Sequence, residues 1–273
     1  MEKNITYNFK KKMQSGNKVF GPLIGPGNDP DKTVEAIKRF GYDFIILDNE
    51  HVLINEETVY DYIRAATETG IPVLIRPKDK TAIVRFYLDA GINGLVVPQV
   101  NSLKETLYAV NQAYFPPIGH RGYGIPESPY LTGFMSPHEH PFLSLTEYVN
   151  DNTVVFPMTE SLENISNLAR ILQLEGVTGT IVGTFDLALS IGGIDPKASP
   201  LDVINSKVVE ENLRQVVGIC KKAGKVAGIG GFPPEGMAKW AKEGYQLFGI
   251  GYVIDGNVNS LQLLIEETKS LMS

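Results

Sequence analysis

Eight short apolar runs of strand length punctuate the chain: Val19–Ile24, Phe44–Asp48, Val73–Arg76, Leu95–Pro98, Val154–Met158, Thr180–Gly183, Val226–Gly230 and Phe248–Tyr252. Within each, Val, Ile, Leu and Phe are nearly continuous instead of alternating with polar residues. A strand that reads this way is buried on both faces, the condition of a parallel sheet covered by helices. Between the runs lie amphipathic stretches with helical spacing: Asp31–Phe40, Glu56–Thr67, Thr81–Ala90, Ser102–Ala113, Leu162–Leu172, Val208–Ala223, Glu235–Glu243 and Asn257–Leu271. The first opens on Asp29-Pro30, a capping residue followed by the proline that suits a first helical turn. The helix-to-strand join recurs as well. "FGYDFIIL", "AGINGLVV" and "EGYQLFGI", with "LEGVTGTIV" as a looser copy, each place a glycine at a helix end just ahead of a strand.

Eight strand–helix units, spaced very roughly 25 residues apart without a break in composition, predict an α/β chain closed into one (β/α)8 TIM barrel. The domain is expected to span residues 1–273, with a short N-terminal helix. An open doubly wound sheet is the alternative, but the first turn, "IGPGNDP", lacks the spaced glycines of a dinucleotide loop. Residues Pro116–Asn152 form the longest irregular segment, rich in Pro, Gly and His, and are expected to dress the active face or an oligomer contact.

Composition narrows the class. The 273 residues are 43% hydrophobic and 21% charged, with a net charge of −6 and a pI near 5.3. The one basic run, Lys10-Lys11-Lys12, reads as a solvated helix face, so nucleic acid is not an expected partner. The single cysteine, Cys220, lies in an apolar helical stretch and reads as a buried spacer in a reducing compartment. Met1 to Lys12 is polar and no apolar run approaches the roughly 20 residues of a membrane span, so a cytoplasmic protein without a membrane partner is expected.

In such a barrel, catalytic groups occupy the C-terminal ends of the strands. Strand 2 exits into Asp48-Asn49-Glu50-His51, strand 3 ends in Arg76, strand 5 leads to Glu160, and strand 6 leads through Gly183-Thr184-Phe185 to Asp186. Glu160 and Asp186 leave adjacent strands, and two carboxylates with the remaining positions open suit Mg2+ or Mn2+ rather than zinc. They also read as two helix-capping acids. His51 is the only one of four histidines at a strand exit, and Asp48 is placed to orient its ring; a surface loop histidine is the plainer account. Arg76 suits a substrate carboxylate, or else a structural ion pair with an acid of a neighbouring strand. The free N–H groups of Gly183, Thr184 and Phe185 at a helix start favour an anion.

Together "ILDNEH", "IRP", "YFPPIGHRGYG", "MTES" and "VGTFDLALSIG" resemble, in order and spacing, the HpcH/HpaI family of class II aldolases, from about Phe20 to the C-terminus. The resemblance implies a barrel of the phosphoenolpyruvate/pyruvate superfamily, assembled as a hexamer. The implied reaction cleaves a 4-hydroxy-2-oxo acid to pyruvate and an aldehyde, and runs the reverse addition. It implies a divalent metal (Mg2+ or Mn2+, with Co2+ a further candidate) held by Glu160 and Asp186. Arg76 then contacts the pyruvyl oxygens, His51 is the acid/base with Asp48 as its acidic partner, and Gly183, Thr184 and Phe185 hold the pyruvate carboxylate. Arg121 is assigned mainly to loop structure. No lysine stands at a strand exit, Lys78 and Lys80 lying beyond Pro77, which argues against Schiff-base chemistry.

Three positions depart from the family pattern: Asn49 for a glycine, Met158 for a glutamine, and Phe185 for a small residue. Met158 and Phe185 make the pocket narrower and more apolar, which bears on the aldehyde. The segment Pro126–His140, with His138 and His140, is poorly matched and reads as an exposed loop. Oxaloacetate decarboxylation or another metal-enolate cleavage on the same barrel is the alternative within enzymes, and a non-catalytic barrel is the alternative outside them.

Overall fold

The computed structural model describes residues 5–79, 83–124 and 141–273. Eight parallel strands close into a barrel in sequence order, the last pairing with the first. They are β1 (Val19–Ile24), β2 (Ile45–Asp48), β3 (Val73–Arg76), β4 (Gly94–Val97), β5 (Val154–Thr159), β6 (Gly179–Val182), β7 (Val226–Gly230) and β8 (Leu247–Val253). All eight expected strands are present, with bounds that differ by a residue or so.

The helices are α1 (Ile5–Gln14), α2 (Pro30–Arg39), α3 (Glu56–Thr69), α4 (Ile83–Ala90), α5 (Leu103–Ala113), α6 (Phe142–Asn152), α7 (Leu162–Ile171), α8 (Thr184–Ile191), α9 (Pro200–Ile204), α10 (Lys207–Ala223), α11 (Pro234–Glu243) and α12 (Ser260–Met272). Asp29 caps α2 as its sequence suggests, its carboxylate accepting from the Lys32 N–H. The four repeated glycines Gly41, Gly91, Gly176 and Gly244 all have positive φ, which lets the chain leave a helix and turn into the next strand.

Burial divides the apolar residues into two layers. Inside the barrel, Val154, Phe156 and Met158 of β5 pack with Ile46, Leu74, Val96, Ile181 and Leu247. Outward residues such as Leu47, Ile75, Val97 and Val155 pack under the helices. Phe9 and Met13 of α1 join the inner layer, with the Phe9 ring 5.2 Å from that of Phe44. Burying each contributes about 1.5–3 kcal/mol, enough to hold a ten-residue helix across the N-terminal mouth.

Two expectations need correction. The segment Pro116–Asn152 is not irregular throughout, since α6 occupies its end, with Leu145 and Val149 packed on Phe115. The last expected helix is broken, a 3-10 turn at Asn257–Asn259 preceding α12. Arg121 serves the loop, as expected. Its buried guanidinium pairs with Asp89 at 2.6 Å and lies over the Phe115 ring. Lys80, Thr81, and Pro126–His140 with His138 and His140 lie outside the described residues. Cys220 is buried, and among the described residues no helix is long and apolar enough to cross a membrane.

Candidate active site

At the C-terminal mouth of the barrel a cavity of about 550 Å³ is lined by His51, Arg76, Met158, Gly183, Thr184, Phe185, Asp186 and Tyr252, among others. Strand register places the central charges. Asp48 and Arg76 end β2 and β3 and are register partners. The Asp48 carboxylate takes Arg76 in two parallel contacts, Nε to Oδ1 at 2.9 Å and Nη2 to Oδ2 at 2.7 Å. Tyr252 of β8 donates its hydroxyl to Oδ2 at 2.6 Å, and the Glu50 N–H reaches Oδ1 at 3.2 Å. Burial alone would raise the Asp48 carboxyl, but the bonds and charge of Arg76, with those from Tyr252 and Glu50, hold it below the usual carboxylate range.

This arrangement corrects the expected pairing of Asp48 with His51. Both Asp48 oxygens are committed to Arg76 and Tyr252, while the His51 ring lies 3.4 Å from Glu50 Oε2 and is about half exposed (53%) at the rim. The open alternative for Arg76, an ion pair with a neighbouring strand's acid, is therefore realised. The guanidinium still borders the cavity beyond that pair.

Glu50, not singled out in the sequence, is a central member. Its side chain is 9% exposed, its Oε2 lies 3.4 Å from Arg76 Nε, and Gln99 Nε2 reaches its Oε1 at 3.3 Å. Burial pushes its carboxyl up, against the pull of Arg76 and His51. The signal available was its place in a strand exit already rich in charge.

Glu160 follows β5 and is buried. The N–H of Gln99, a residue held at φ +52°, donates to its Oε2 at 2.6 Å. Burial pushes the Glu160 carboxyl up to about 7; the Gln99 N–H opposes this, the charges of Glu50 and Asp186 add to it, and Arg76 pulls it down. Asp186, on the first turn of α8, is exposed at the rim. Gly183 is needed beside Glu160, for a Cβ there would sit 2.7 Å from Glu160 Cγ and Oε1. The Gly183 N–H is spent on the Thr159 carbonyl at 3.1 Å, so of the expected anion cradle only the Thr184 and Phe185 N–H groups stay uncommitted at the start of α8.

These groups fit a divalent cation. Glu160 and Asp186 leave the adjacent exits of β5 and β6, and Arg76 is already taken by Asp48. Burial, with the added charge of Glu50 and Asp186, pushes the Glu160 carboxyl up, which a cation beside it would relieve. Among the described residues no group of three or more His, Cys, Asp or Glu side chains is placed to hold a metal ion. An open pair of carboxylates, with positions left for substrate oxygens, is the form suited to Mg2+ or Mn2+. Of the departures noted in the sequence, Asn49 turns its amide away from the cavity to the Tyr87 hydroxyl at 2.9 Å. Met158 and Phe185 face the cavity, the latter 43% exposed at its edge. Lys78 is drawn off to Glu56 at 3.1 Å, and no lysine lines the cavity among the described residues.

The family model described as HpcH/HpaI aldolase/citrate lyase matches residues 24–255. The chain belongs to that family. It is 27% identical over 260 residues to a hydroxypyruvate/pyruvate aldolase of Agrobacterium fabrum (strain C58 / ATCC 33970), covering 94% of this chain and 91% of that one. It is 25% identical over 232 residues to a 2-keto-3-deoxy-L-rhamnonate aldolase of Escherichia coli O17:K52:H18, covering 85% and 81%. Among solved structures, citrate synthase SbnG superposes with a TM-score of 0.75 at 26% identity, covering 96% of this chain and 97% of that one. The HpcH/HpaI chain described here is accordingly a carbon–carbon lyase, one of a family of class II aldolases and citrate-lyase-like enzymes.

Proposed function

We propose that the protein is a divalent-metal-dependent aldolase that cleaves a 4-hydroxy-2-oxo acid to pyruvate and an aldehyde, and catalyses the reverse addition. The observation that carries this reading is buried Glu160 packed against Gly183 at the edge of the cavity, with Asp186 and the Asp48-bound Arg76 lining the same mouth, where barrel chemistry resides. Glu160 and Asp186 hold the cation. When bound, it supplies Lewis-acid polarisation of the 2-oxo group and offsets the charge of the enolate left by cleavage.

The remaining steps belong to the chain's own residues. Arg76, fixed by the double contact with Asp48, presents its cavity-facing N–H donors to the pyruvyl oxygens, where negative charge grows in the transition state. The N–H groups of Thr184 and Phe185 receive the substrate carboxylate at the positive end of α8. His51, beside Glu50 at the exposed rim, takes the C4 hydroxyl proton during cleavage and returns it during addition. Met158, Phe185 and Phe232 give the cavity an apolar wall for the aldehyde. A homo-hexamer is part of the proposal and is tested by sedimentation.

The testing experiment is deuterium exchange at the pyruvate methyl group in D2O, followed by NMR, with Mn2+, with EDTA and with Glu160→Gln. Enolisation precedes every aldol partner, so the aldehyde need not be known. Exchange that requires both metal and Glu160 supports the reading. Mn2+ binding without exchange refutes pyruvate as the donor and transfers the site to oxaloacetate decarboxylation or a related enolate cleavage.

A further inference from the structure

A second cavity, of about 440 Å³, lies at the opposite end of the barrel, between α1, the C-terminal end of α10 and the segments entering β6, β7 and β8. Lysines reach it from three segments: Lys10 on α1, Lys221 on α10 and Lys225 just ahead of β7. No acid lines it among the described residues. The run Lys10-Lys11-Lys12, which reads in the sequence as one solvated face, is divided by the fold. Lys12 reaches out to Asp43, while Lys10 turns inward and is partly buried.

Each of the three ammonium groups donates to one backbone carbonyl: Lys10 to Thr153 at 3.2 Å, Lys221 to Glu243 at 2.6 Å and Lys225 to Val177 at 2.5 Å. An ammonium carries three donors, so each has capacity left. Helix C-termini gather at this end, and a basic residue in the last turn, as Lys221 is in α10, answers the helix dipole. That accounts for one lysine. It does not account for two more drawn out of water into the same enclosure. Burial and the charge of Lys225 hold Lys10 below the ordinary lysine range, with Asp151 pulling the other way, and burial lowers Lys225. In a chain of net charge −6, positive charge concentrated in a cavity with no acid among its described lining residues, Asp151 acting on Lys10 from outside that lining, is a vacancy for an anion.

We propose that this cavity binds a small polyanion, a phosphate ester or a polycarboxylate, whose oxygens take the spare donors of Lys10, Lys221 and Lys225. Its volume is that of a small-molecule site, and it stands apart from the lyase cavity at the other mouth. The proposal does not depend on which reaction that mouth catalyses.

Titration calorimetry on the full chain tests it, at low ionic strength with EDTA present, using pyrophosphate and citrate as separate probes. One-to-one binding is expected, weakened at least about tenfold by Lys10→Gln and by Lys225→Gln. The exposed Lys222→Gln and the opposite-mouth Arg76→Gln are expected to leave it unchanged. Tighter binding of pyrophosphate identifies a phosphate ester as the natural class, and tighter binding of citrate a polycarboxylate. Scanning calorimetry guards against misfolding: the bound probe raises the melting temperature of the wild type and of Lys222→Gln but not of the two inner variants. Absence of heat from both probes at about 5 mM overturns the proposal. So does binding indifferent to Lys10 and Lys225, or binding abolished by Arg76→Gln.

Discussion

Replacing Asp48 by asparagine keeps the shape of the most heavily hydrogen-bonded carboxylate at the site and removes its charge. Asp48 is fully buried and accepts from Arg76 Nε and Nη2, the Tyr252 hydroxyl and the Glu50 N–H. Asparagine turns an N–H2 group toward one of those donors and leaves the guanidinium without its partner. Removing one member of a buried pair costs about 3–5 kcal/mol. Glu50, 3.4 Å from Arg76 Nε, offsets part of that, so about 3 kcal/mol is expected.

At roughly 2.1 cal/mol/K per residue, this chain's unfolding entropy is about 0.57 kcal/mol/K, and the loss corresponds to a fall of about 5 °C in melting temperature. The sign with pH follows from the depressed carboxyl. Its contribution is complete above the unfolded value of about 3.9 and is lost as pH falls through the lower folded value. The gap between wild type and Asp48→Asn is therefore wide at neutral pH and closes in acid. Scanning calorimetry near pH 7 and pH 3 measures both. A loss below about 1 °C at neutral pH, or a gap as wide in acid as at neutrality, would refute the pairing as the source of stability.

Other expectations follow from the same contacts. Glu160→Gln lowers metal-dependent exchange of the pyruvate methyl by on the order of 100-fold or more, measured by NMR, with little change in melting temperature. Gly183→Ala pushes a methyl against Glu160 Cγ and Oε1 at 2.7 Å, so Mn2+ affinity measured by calorimetry falls about tenfold while the fold is kept. Gly179→Ala drives a Cβ to 2.0 Å from the Val226 carbonyl across the β6–β7 pairing. It destabilises by about 3 kcal/mol or prevents soluble expression, and urea unfolding reads the difference. Tyr252→Phe removes the 2.6 Å bond to Asp48 and costs about 1.5–3 kcal/mol in the same unfolding assay.

The barrel was legible because each strand's burial is written locally, as a run of Val, Ile, Leu and Phe, and the turns into β2, β4, β6 and β8 each carry a glycine of positive φ. Helix α6 escaped notice because its start lacks a punctuating residue: Pro141 precedes it and makes no side-chain cap bond. The charged strand exits were legible as positions, and their partners were not. Asp48 is three residues from His51 in sequence, yet it ends its strand in register with Arg76, and the register set that contact. Glu50 and the Gln99 N–H became visible only when three loops were brought to one mouth, a fact of closure that no local pattern records. Lys11 and Lys12 lie on the expected solvated face and Lys10 departs from it for the same reason, since only docking of α1 onto the barrel decides which lysine faces in.

The two sides of the lyase cavity are built differently. His51, Arg76 and Asp186 enter from the exits of β2, β3 and β6, whereas the β7–β8 wall presents Gly230 and Gly249, which are register partners. A methyl added at Gly230 meets nothing nearer than the Gly249 carbonyl at 3.4 Å, and one at Gly249 nothing nearer than Leu23 Cδ1 at 3.5 Å. That wall can be thickened a methyl at a time without disturbing Asp48, Arg76 or Glu160. Changes at Gly230 and Gly249 would thus reshape one wall of the cavity while Asp48, Arg76 and Glu160 keep their contacts.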